Sequence, residues 1–248
     1  MKNTKYPNVV EFEVIGDYGL FSDPITRPGG EKCSYHIPTY EALKGVLSSV
    51  YWKPTFTWYI DEVRVMNRIQ TEVKGIRSIK MKDNKTDLSY YTYLKKCRYQ
   101  VRAHFEWNEN RPELANDRNE NKHHEIAKRM IEKGGRRDIF LGTRECQAYV
   151  VPCVFGEDKG SYDSENGENY SISFGTMYHG ITYPDEAYSK ETKNKMTVRF
   201  WNPVMNNGVI KFLRPEECPY QKIIKDMSVK TFGKKEDNFI GLDEFKEA

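Results

Sequence analysis

The chain lacks paired cysteines. Its 248 residues contain five cysteines, and no two of them stand in a C-x-x-C spacing. The five are Cys33, Cys97, Cys146, Cys153 and Cys218. An odd number of cysteines without that spacing argues against both a disulfide framework and a structural zinc site. We therefore expect reduced cysteines, as in a cytoplasmic protein.

Long hydrophobic runs are also missing. No segment approaches the roughly 18 consecutive apolar residues of a membrane-spanning helix, and residues 1–16, MKNTKYPNVVEFEVIG, contain no apolar core of the signal-peptide type. The mean hydropathy is −0.79 and 30% of the residues are charged. We therefore expect a cytoplasmic protein without a membrane partner, with one large or two small domains.

The charge is unevenly distributed along the chain. Between Arg64 and Arg137 there are 19 Lys and Arg against 10 Asp and Glu, a local net charge of +9, which leaves −6 for the rest of a chain whose total is +3. A basic excess concentrated in one segment predicts a basic face, which is typical of a protein that binds nucleic acid. An ordinary solvated surface is the alternative explanation.

Hydrophobic periodicity predicts an α+β fold with a ferredoxin-like, RNA-recognition-like domain. The predicted order is strand, helix, strand, strand, helix, strand, in which an antiparallel sheet carries both helices on one face. The first helix is expected to start after Thr39 as its N-cap and to end before Pro54. The four strands are expected at residues 9–15, 56–65, 90–107 and 139–151.

Two further regions surround this predicted unit. Residues 67–89 are basic and polar, and we expect them to form an insertion or hairpin that extends from the sheet. Beyond Pro152 an acidic loop at 156–170 precedes short strand-like segments, and the sequence Asn-Asn-Gly at 206–208 predicts a hairpin turn. The predicted domains are a ferredoxin-like domain at 1–151, a small antiparallel β domain at 152–221 and a mobile tail at 222–248.

The second predicted helix carries the residues of greatest chemical interest. Lys122 and His123 lie at its start, and Arg136 and Arg137 follow the two glycines that end it. A histidine transfers protons near neutral pH, and the lysine and arginines suit a polyanion. Each residue also has a structural explanation, because His123 lies on the apolar face of the helix and the cations fit a solvated surface.

Four long segments together carry a family resemblance. They are GDYGLFSDP at 16–24, YEALKGVLSSVYWKP at 40–54, RPELANDRNENKHH at 111–124 and GGRRDIFLGTRECQAYV at 134–150. They resemble the CRISPR-associated Cas5 family, subtype d, of type I-C systems, over residues 7–220. The resemblance implies a metal-independent endoribonuclease that cuts CRISPR repeat RNA beside its hairpin, then stays on the 5′ handle of the guide RNA with the other subunits of the interference complex. It implies no cofactor.

The resemblance also implies the catalytic residues. The family places its activity on a tyrosine, a lysine and a histidine, and the matching residues are Tyr51, Lys122 and His123. RNA carries its own nucleophile, the 2′-hydroxyl, so a base, an acid and a cation are sufficient for cleavage to 5′-hydroxyl and 2′,3′-cyclic phosphate ends. The sequence leaves open whether Tyr51 or His123 is the base. Tyr51 also fits the core, four residues after Leu47.

Binding residues and competing functions complete the predictions from sequence. The expected contacts to RNA phosphates are Arg136, Arg137, Lys74 and Arg77. The candidates for stacking on unpaired bases are Tyr90, Tyr91, Tyr93 and Trp107. One competing function is a non-catalytic scaffold for guide RNA, because an RNA-recognition-like order of elements implies binding alone. Another is binding of double-stranded DNA, which needs only a basic face.

Overall fold

The structure is a computed structural model, and it describes residues 8–80, 82, 84–164 and 169–229. The helices are α1 (Tyr40–Val50) and α2 (Glu120–Glu132). The strands are β1 (Val10–Gly19), β2 (Lys32–Cys33), β3 (Phe56–Val65), β4 (Thr71–Ile79), β5 (Thr86–Trp107), β6 (Ile139–Phe140), β7 (Gln147–Pro152), β8 (Ser171–Ser173), β9 (Met177–Thr182), β10 (Lys195–Trp201), β11 (Val204–Asn206), β12 (Val209–Lys211) and β13 (Tyr220–Asp226). Short 3-10 turns occupy Pro24–Gly29, Pro112–Asp117, Pro184–Glu186 and Pro215–Glu217.

Ten strands form one large sheet, in the order β6-β7-β1-β5-β3-β12-β11-β8, with β2 and β4 also paired to β5. Its central strands β7, β1, β5 and β3 are antiparallel neighbours. Numbered along the chain within the β-α-β-β-α-β unit, they stand in the order fourth, first, third, second, as a split βαβ arrangement requires. An α+β fold with a large antiparallel sheet is thereby confirmed.

The first helix forms largely where its sequence predicts it. The Thr39 side chain accepts a hydrogen bond from the Ala42 amide and so caps the N-terminus. The helix ends at Val50, earlier than the Pro54 signal suggests, because Tyr51 is already extended with φ −156°. Its buried face packs on β3, which brings Tyr51 to the start of that strand.

The second helix is capped at both ends. The Asn119 side chain accepts from the Lys122 amide at 3.0 Å, and the chain leaves the helix through Gly134 and Gly135, whose φ values of +79° and +104° favour glycine. The helix packs against β1 and β7 and touches α1. Both α1 and α2 fall short of the length and apolarity that a membrane-spanning helix needs, as does any other helix within the described ranges.

The predicted basic insertion is a two-stranded hairpin. Strand β4 pairs with the first part of β5, from Thr71 opposite Leu94 to Ile79 opposite Thr86. The second part of β5 lies between β1 and β3 in the large sheet. One long strand therefore joins the hairpin to the centre of the fold.

The predicted strand at 139–151 is two shorter strands. β6 and β7 form an antiparallel hairpin whose turn contains Gly142. The φ of Gly142 is +92°, and a Cβ atom there would lie 2.0 Å from the carbonyl oxygen of Leu20. Only glycine fits this turn, and it interrupts what the alternating sequence suggests is one strand.

The C-terminal strands are divided between two sheets. β12 pairs with β3, and β11 and β8 extend the large sheet beyond it, so the predicted hairpin at 206–208 joins the sheet of the first predicted domain. β13, β10 and β9 form a separate three-stranded antiparallel sheet. The division at residue 152 stays a prediction. Residues 222–226 of the expected tail are instead in β13, and 230–248 lie outside the described residues.

The face of the large sheet away from the helices is charged and covered. Three of its arginines pair with carboxylates at 2.7 to 2.8 Å: Arg64 with Asp163, Arg98 with Glu13 and Arg102 with Glu11. The loop after β7 lies over this face, where the carbonyl of Glu157 accepts from Gln100 at 2.8 Å. The expectation of a single basic face is wrong for these arginines, because carboxylates from outside the 64–137 segment neutralise them.

Candidate active site

Tyr51 and His123 meet where α1 ends and α2 begins. The Tyr51 hydroxyl oxygen lies 2.7 Å from Nδ1 of His123. Lys122 precedes this histidine in the first turn of α2. The structure therefore brings the three predicted catalytic residues together, although they are about 70 positions apart in sequence.

The hydrogen bonds of His123 define the direction of the contact with Tyr51. Nε2 of His123 lies 2.7 Å from the backbone carbonyl oxygen of Asp117. A carbonyl oxygen only accepts, so Nε2 carries the hydrogen, and in the neutral ring Nδ1 has the free lone pair. The Tyr51 hydroxyl therefore donates to Nδ1.

Aromatic rings fix both side chains in place. His123 has 0% and Tyr51 3% of its surface exposed. Phe56 and Trp107 meet the imidazole edge-on, with ring centroids 5.4 and 5.8 Å away. The Trp58 indole donates to the Tyr51 carbonyl at 2.8 Å. The position of His123 on the apolar face of its helix is therefore compatible with both a structural and a catalytic role. The ring packs in the core, and both of its nitrogens are hydrogen-bonded.

The environment of Tyr51 keeps its hydroxyl protonated. Burial raises the pKa of Tyr51 above its usual value of 10.0, and the negative charge of Asp117 raises it further, while the positive charge of Arg136 acts in the opposite direction. At neutral pH the residue is therefore a phenol, able to donate a proton.

Lys122 is the accessible member of the three. Its ammonium lies 2.6 Å from Oδ1 of Asp117, and 46% of its side chain is exposed. This hydrogen bond is the largest of the effects that hold the pKa of Asp117 below its usual value. Lys53 adds a second ammonium, 3.9 Å from Oδ2 of the same carboxylate. The exposed groups beside Tyr51 and His123 are thus mainly cationic, and they surround the Asp117 carboxylate.

Arg136 and Arg137 belong to the same site. Their backbone amides both donate to the carbonyl of Ser49 at 3.2 Å, which fixes the loop against the last turn of α1, next to Tyr51. Both side chains are exposed, and neither forms an ion pair with a described residue. In particular, neither pairs with Asp138 or Glu145. These two predicted RNA contacts stand beside the catalytic candidates with their charges available.

Lys74 and Arg77 lie elsewhere. Lys74 is in β4 opposite Tyr91, and its ammonium sits 3.3 Å from the centroid of the Tyr18 ring. Tyr91 is 16 residues before Trp107 along β5, which at about 3.3 Å a residue corresponds to up to roughly 50 Å. The structure therefore does not bring these two residues to the tyrosine and histidine.

The aromatic residues considered for stacking have different surroundings. Trp107 packs against His123, and Tyr93 is buried, while Tyr90 on the hairpin is exposed. Trp52, which directly follows Tyr51 and is 51% exposed, is not among the residues predicted from the sequence. Its place in the motif SVYWKP, next to a catalytic candidate, is the signal that points to it.

The described residues contain no group of three or more His, Cys, Asp and Glu side chains arranged to hold a metal ion. The side chains around Tyr51 and His123 are instead two ammonium groups, a guanidinium and the Asp117 carboxylate that the ammonium groups neutralise. The chemistry that these groups offer directly is proton transfer and stabilisation of negative charge.

Together these features define an α+β protein whose large antiparallel sheet and two helices position a hydrogen-bonded tyrosine and histidine beside exposed cations. The sequence model of the Cas5d family, described as CRISPR-associated protein (Cas5), matches residues 9–213. That match spans most of the chain, and the protein belongs to the Cas5d family.

Individual relatives agree with this assignment. A protein of Mannheimia succiniciproducens named CRISPR pre-crRNA endoribonuclease Cas5d is 24% identical over 226 residues, which are 82% of this chain and 94% of the relative. A protein of the same name from Thermus thermophilus is 26% identical over 158 residues, 58% of this chain and 63% of that protein.

Solved structures are similar over most of the chain. A crystal structure of a CRISPR-associated protein superposes with a TM-score of 0.70 at 37% identity, covering 86% of this chain and 96% of the other. The functionally uncharacterized protein SMU1763c from Streptococcus mutans gives a TM-score of 0.69 at 38% identity, with the same coverage of both chains.

Proposed function

We propose that this protein is a pre-crRNA endoribonuclease that cuts repeat RNA beside its hairpin by attack of the 2′-hydroxyl on the adjacent phosphodiester. The observation that carries the proposal is the hydrogen-bond chain from Tyr51 through His123 to Asp117, in a member of the Cas5d family. In this proposal the ferredoxin-like unit formed by β1, α1, β3, β5, α2 and β7 supplies the catalytic residues.

The chain of hydrogen bonds suggests a proton relay. The 2′-hydroxyl proton passes to the Tyr51 oxygen as the Tyr51 proton passes to Nδ1 of His123, which becomes an imidazolium. The 2′-oxygen bonds to phosphorus, and the bond from phosphorus to the 5′-oxygen breaks. The reverse transfer through Tyr51 returns the proton to the 5′-oxygen. The products are a 2′,3′-cyclic phosphate and a 5′-hydroxyl, and His123 is neutral again.

The cations supply the remaining stabilisation. Negative charge grows on the non-bridging oxygens of phosphorus during the attack, and an ammonium within reach lowers the barrier more in the transition state than in the bound substrate. Lys122 is the group we assign to this role, since it adjoins His123 and is partly exposed. Arg136 and Arg137 would bind the neighbouring phosphates.

The burial of Tyr51 sets a condition on this proposal. With 3% of its surface exposed, the tyrosine is reached only when side chains at the surface of the cluster move to admit the RNA. Lys122, with its side chain 46% exposed, is the first of the three residues that a phosphate meets. Catalysis would therefore follow a local rearrangement on binding.

The decisive experiment compares unmodified repeat RNA with the same RNA carrying one 2′-deoxy nucleotide. We expect full cleavage in excess EDTA, and none of an RNA with a single 2′-deoxy substitution at the nucleotide 5′ to the cut. The unmodified product should carry a 5′-hydroxyl and a 2′,3′-cyclic phosphate. Loss of activity on chelation, or cleavage of the deoxy substrate, would show that the mechanism is wrong.

Retention of the product is a further part of the proposal. After cleavage we expect the protein to keep the 5′ handle of the guide RNA and to enter the type I-C interference complex with it. Gel-shift titrations with handle RNA, repeat hairpin and duplex DNA would test this. Binding without cleavage would favour the scaffold function, and equal affinity for duplex DNA would favour a general DNA binder.

A further inference from the structure

Asp117 contacts both candidate catalytic residues of α2. Its backbone carbonyl oxygen accepts from Nε2 of His123 at 2.7 Å, and its carboxylate Oδ1 accepts from the Lys122 ammonium at 2.6 Å. The other carboxylate oxygen, Oδ2, lies 3.5 Å from the same Nε2. One residue therefore fixes the tautomer of the histidine and the location of the lysine charge.

Asp117 is itself held from outside the helix. It is the last residue of the 3-10 turn Pro112–Asp117, and Oδ2 accepts from the Thr55 hydroxyl at 2.9 Å. Thr55 is buried beside the start of β3. The carbonyl of Asp117 also accepts from the Asn119 amide at 2.9 Å. The carboxylate thus has a defined position between the sheet and α2.

We propose that Asp117 is a positioning residue for RNA cleavage, acting through His123 and Lys122 without touching the substrate. The inference rests on the proposed function. When His123 takes the proton from Tyr51, the carboxylate 3.5 Å from Nε2 stabilises the imidazolium. The carbonyl keeps the protonated Nε2 turned away from Tyr51, so that Nδ1 is the nitrogen that receives the proton. The carboxylate also keeps the Lys122 ammonium beside Tyr51 and His123 rather than free in solvent.

A purely structural role makes different predictions. If Asp117 only joins the 3-10 turn to Thr55, its removal lowers stability and leaves the chemistry of correctly folded molecules unchanged. A positioning role changes kcat more than KM, and it changes how activity depends on pH. The other charged or titratable groups that face Asp117 and His123 are Tyr51, Lys53, Lys122 and Arg136. All of them are kept in the test.

The test is Asp117→Asn in the full chain with repeat RNA. Asparagine keeps the backbone carbonyl and an acceptor for Thr55, and it replaces the charged oxygen that accepts from Lys122 with a neutral NH2 group. We expect kcat to fall roughly ten- to hundredfold, by analogy with the loss of residues that orient metal-binding histidines. KM and hairpin affinity should stay within a few-fold. The dependence of kcat on pH should also change, because the charged carboxylate 3.5 Å from Nε2 is no longer present.

Two variants accompany it. Asp117→Glu restores the charge, so it should recover part of kcat and keep the wild-type pH profile. Glu113→Gln lies in the same turn, where Glu113 is exposed and 3.6 Å from Arg111, and it should behave as wild type. If Asp117→Asn does not fold, Asp117→Glu decides. A carboxylate displaced by one methylene lowers kcat under the proposal and leaves it unchanged if the residue only joins segments.

The outcomes separate the two proposals. Wild-type protein that leaves repeat RNA uncut refutes the proposed function. Wild-type cleavage with Tyr51→Phe inactive and Asp117→Asn fully active refutes only the role of Asp117. A lower kcat for Asp117→Asn with a lower Tm and an unmoved pH profile also refutes it, since that pattern belongs to a structural link.

Discussion

The hydroxyl of Tyr51 donates a 2.7 Å hydrogen bond to Nδ1 of His123, whose other nitrogen donates to the carbonyl of Asp117. Both hydrogen bonds therefore run in the same direction, from Tyr51 to His123 and from His123 to Asp117. His123 is fully buried, and the Tyr51 hydroxyl is the donor in the contact between the two residues. In the proposed mechanism the base is therefore the pair of residues: Tyr51 would meet the substrate, and His123 would receive the proton.

Removal of the tyrosine hydroxyl tests this arrangement most directly. Tyr51→Phe keeps the buried ring and its packing on Phe56 and removes only the proton relay. We expect the cleavage rate at saturating protein to fall by about 10²–10⁴, the usual contribution of a positioned acid–base group, with hairpin affinity within a few-fold. Single-turnover cleavage measures the rate. Tyr149→Phe is the control, because Tyr149 is 65% exposed on β7. Cleavage by Tyr51→Phe at the wild-type rate would remove Tyr51 from the mechanism.

The histidine requires a substitution that respects its burial. His123→Ala leaves a cavity among aromatic rings and the Tyr51 hydroxyl without its acceptor, so we expect it to abolish cleavage and to lower the free energy of unfolding by about 2–4 kcal/mol. His123→Gln offers a donor for Asp117 and an acceptor for Tyr51, but it cannot shuttle a proton. It should be as inactive as alanine, with a smaller loss of stability and with hairpin binding kept.

Urea unfolding, hairpin binding and cleavage, measured on both His123 variants, give the comparison. Loss of binding in parallel with cleavage in His123→Gln would point to a role of His123 in building the binding surface. Activity in His123→Gln would contradict the relay, because the amide has no titratable nitrogen.

The loop cations lead to a prediction about binding. Replacing Arg136 and Arg137 with alanine should weaken hairpin binding and reduce the slope of log Kd against log salt concentration by about one to two phosphate contacts. Cleavage at saturating protein should remain largely intact, because these side chains contribute to the bound state. The control pair is Lys190→Ala with Lys193→Ala, both exposed in a turn before β10. An unchanged salt slope with a lower Tm would contradict the RNA contact.

Lys74 and Arg77, the cations of the β4–β5 hairpin, are expected to act independently of Tyr51 and His123. Lys74→Ala with Arg77→Ala changes charges that lie up to roughly 50 Å along β5 from the histidine. We expect weaker RNA binding with a reduced salt slope, no change in the single-turnover rate, and an effect additive with that of the Arg136 and Arg137 pair. Wild-type affinity for a full repeat RNA would mean that the hairpin does not contact this RNA.

Local sequence signals predicted the elements that carry the site. The cap at Thr39, the alternation over Phe56–Val65 and the glycines after α2 each act within a few residues, and the structure contains all of them. The predicted meeting of Tyr51 with His123 came from the family resemblance, because no local pattern relates positions so far apart in the chain.

Other features depend on pairings that no local pattern encodes. β12 pairs with β3 across about 150 residues, so a short apolar segment after Asn-Asn-Gly gives no sign of which sheet it joins. Asp117 ends a 3-10 turn six residues before His123, and helical spacing does not relate the two. Arg64 and Arg102 count as basic in the sequence but are neutralised by carboxylates from other segments.

The last prediction concerns a second buried histidine, which joins the three-stranded sheet to α1. His179 in β9 stacks on Tyr40 at a centroid distance of 4.3 Å, and its Nε2 donates to the carbonyl of Leu213 at 3.0 Å. Burial first, and then the positive charge of Arg199, lowers the pKa of His179 from 6.5 to about 3. Between these values the unfolded chain binds a proton that the folded protein does not, so stability is fully present above pH 6.5 and falls as the pH decreases.

His179→Gln has no titratable group at this position, so the unfolded variant takes up no proton there. The glutamine keeps a donor for the Leu213 carbonyl. Below pH 6.5 the wild-type free energy of unfolding should decrease by about 1.4 kcal/mol per pH unit more steeply than that of the variant. Urea unfolding at pH 7, 6 and 5 measures the two slopes. Burial lowers the pKa of His104, but the hydrogen bonds that Asp61 and Glu106 accept from it raise the pKa above its usual value. His104 therefore acts in the opposite direction, but equally in both proteins. Parallel slopes would mean that His179 takes up its proton in the folded state, contrary to its burial beside Arg199.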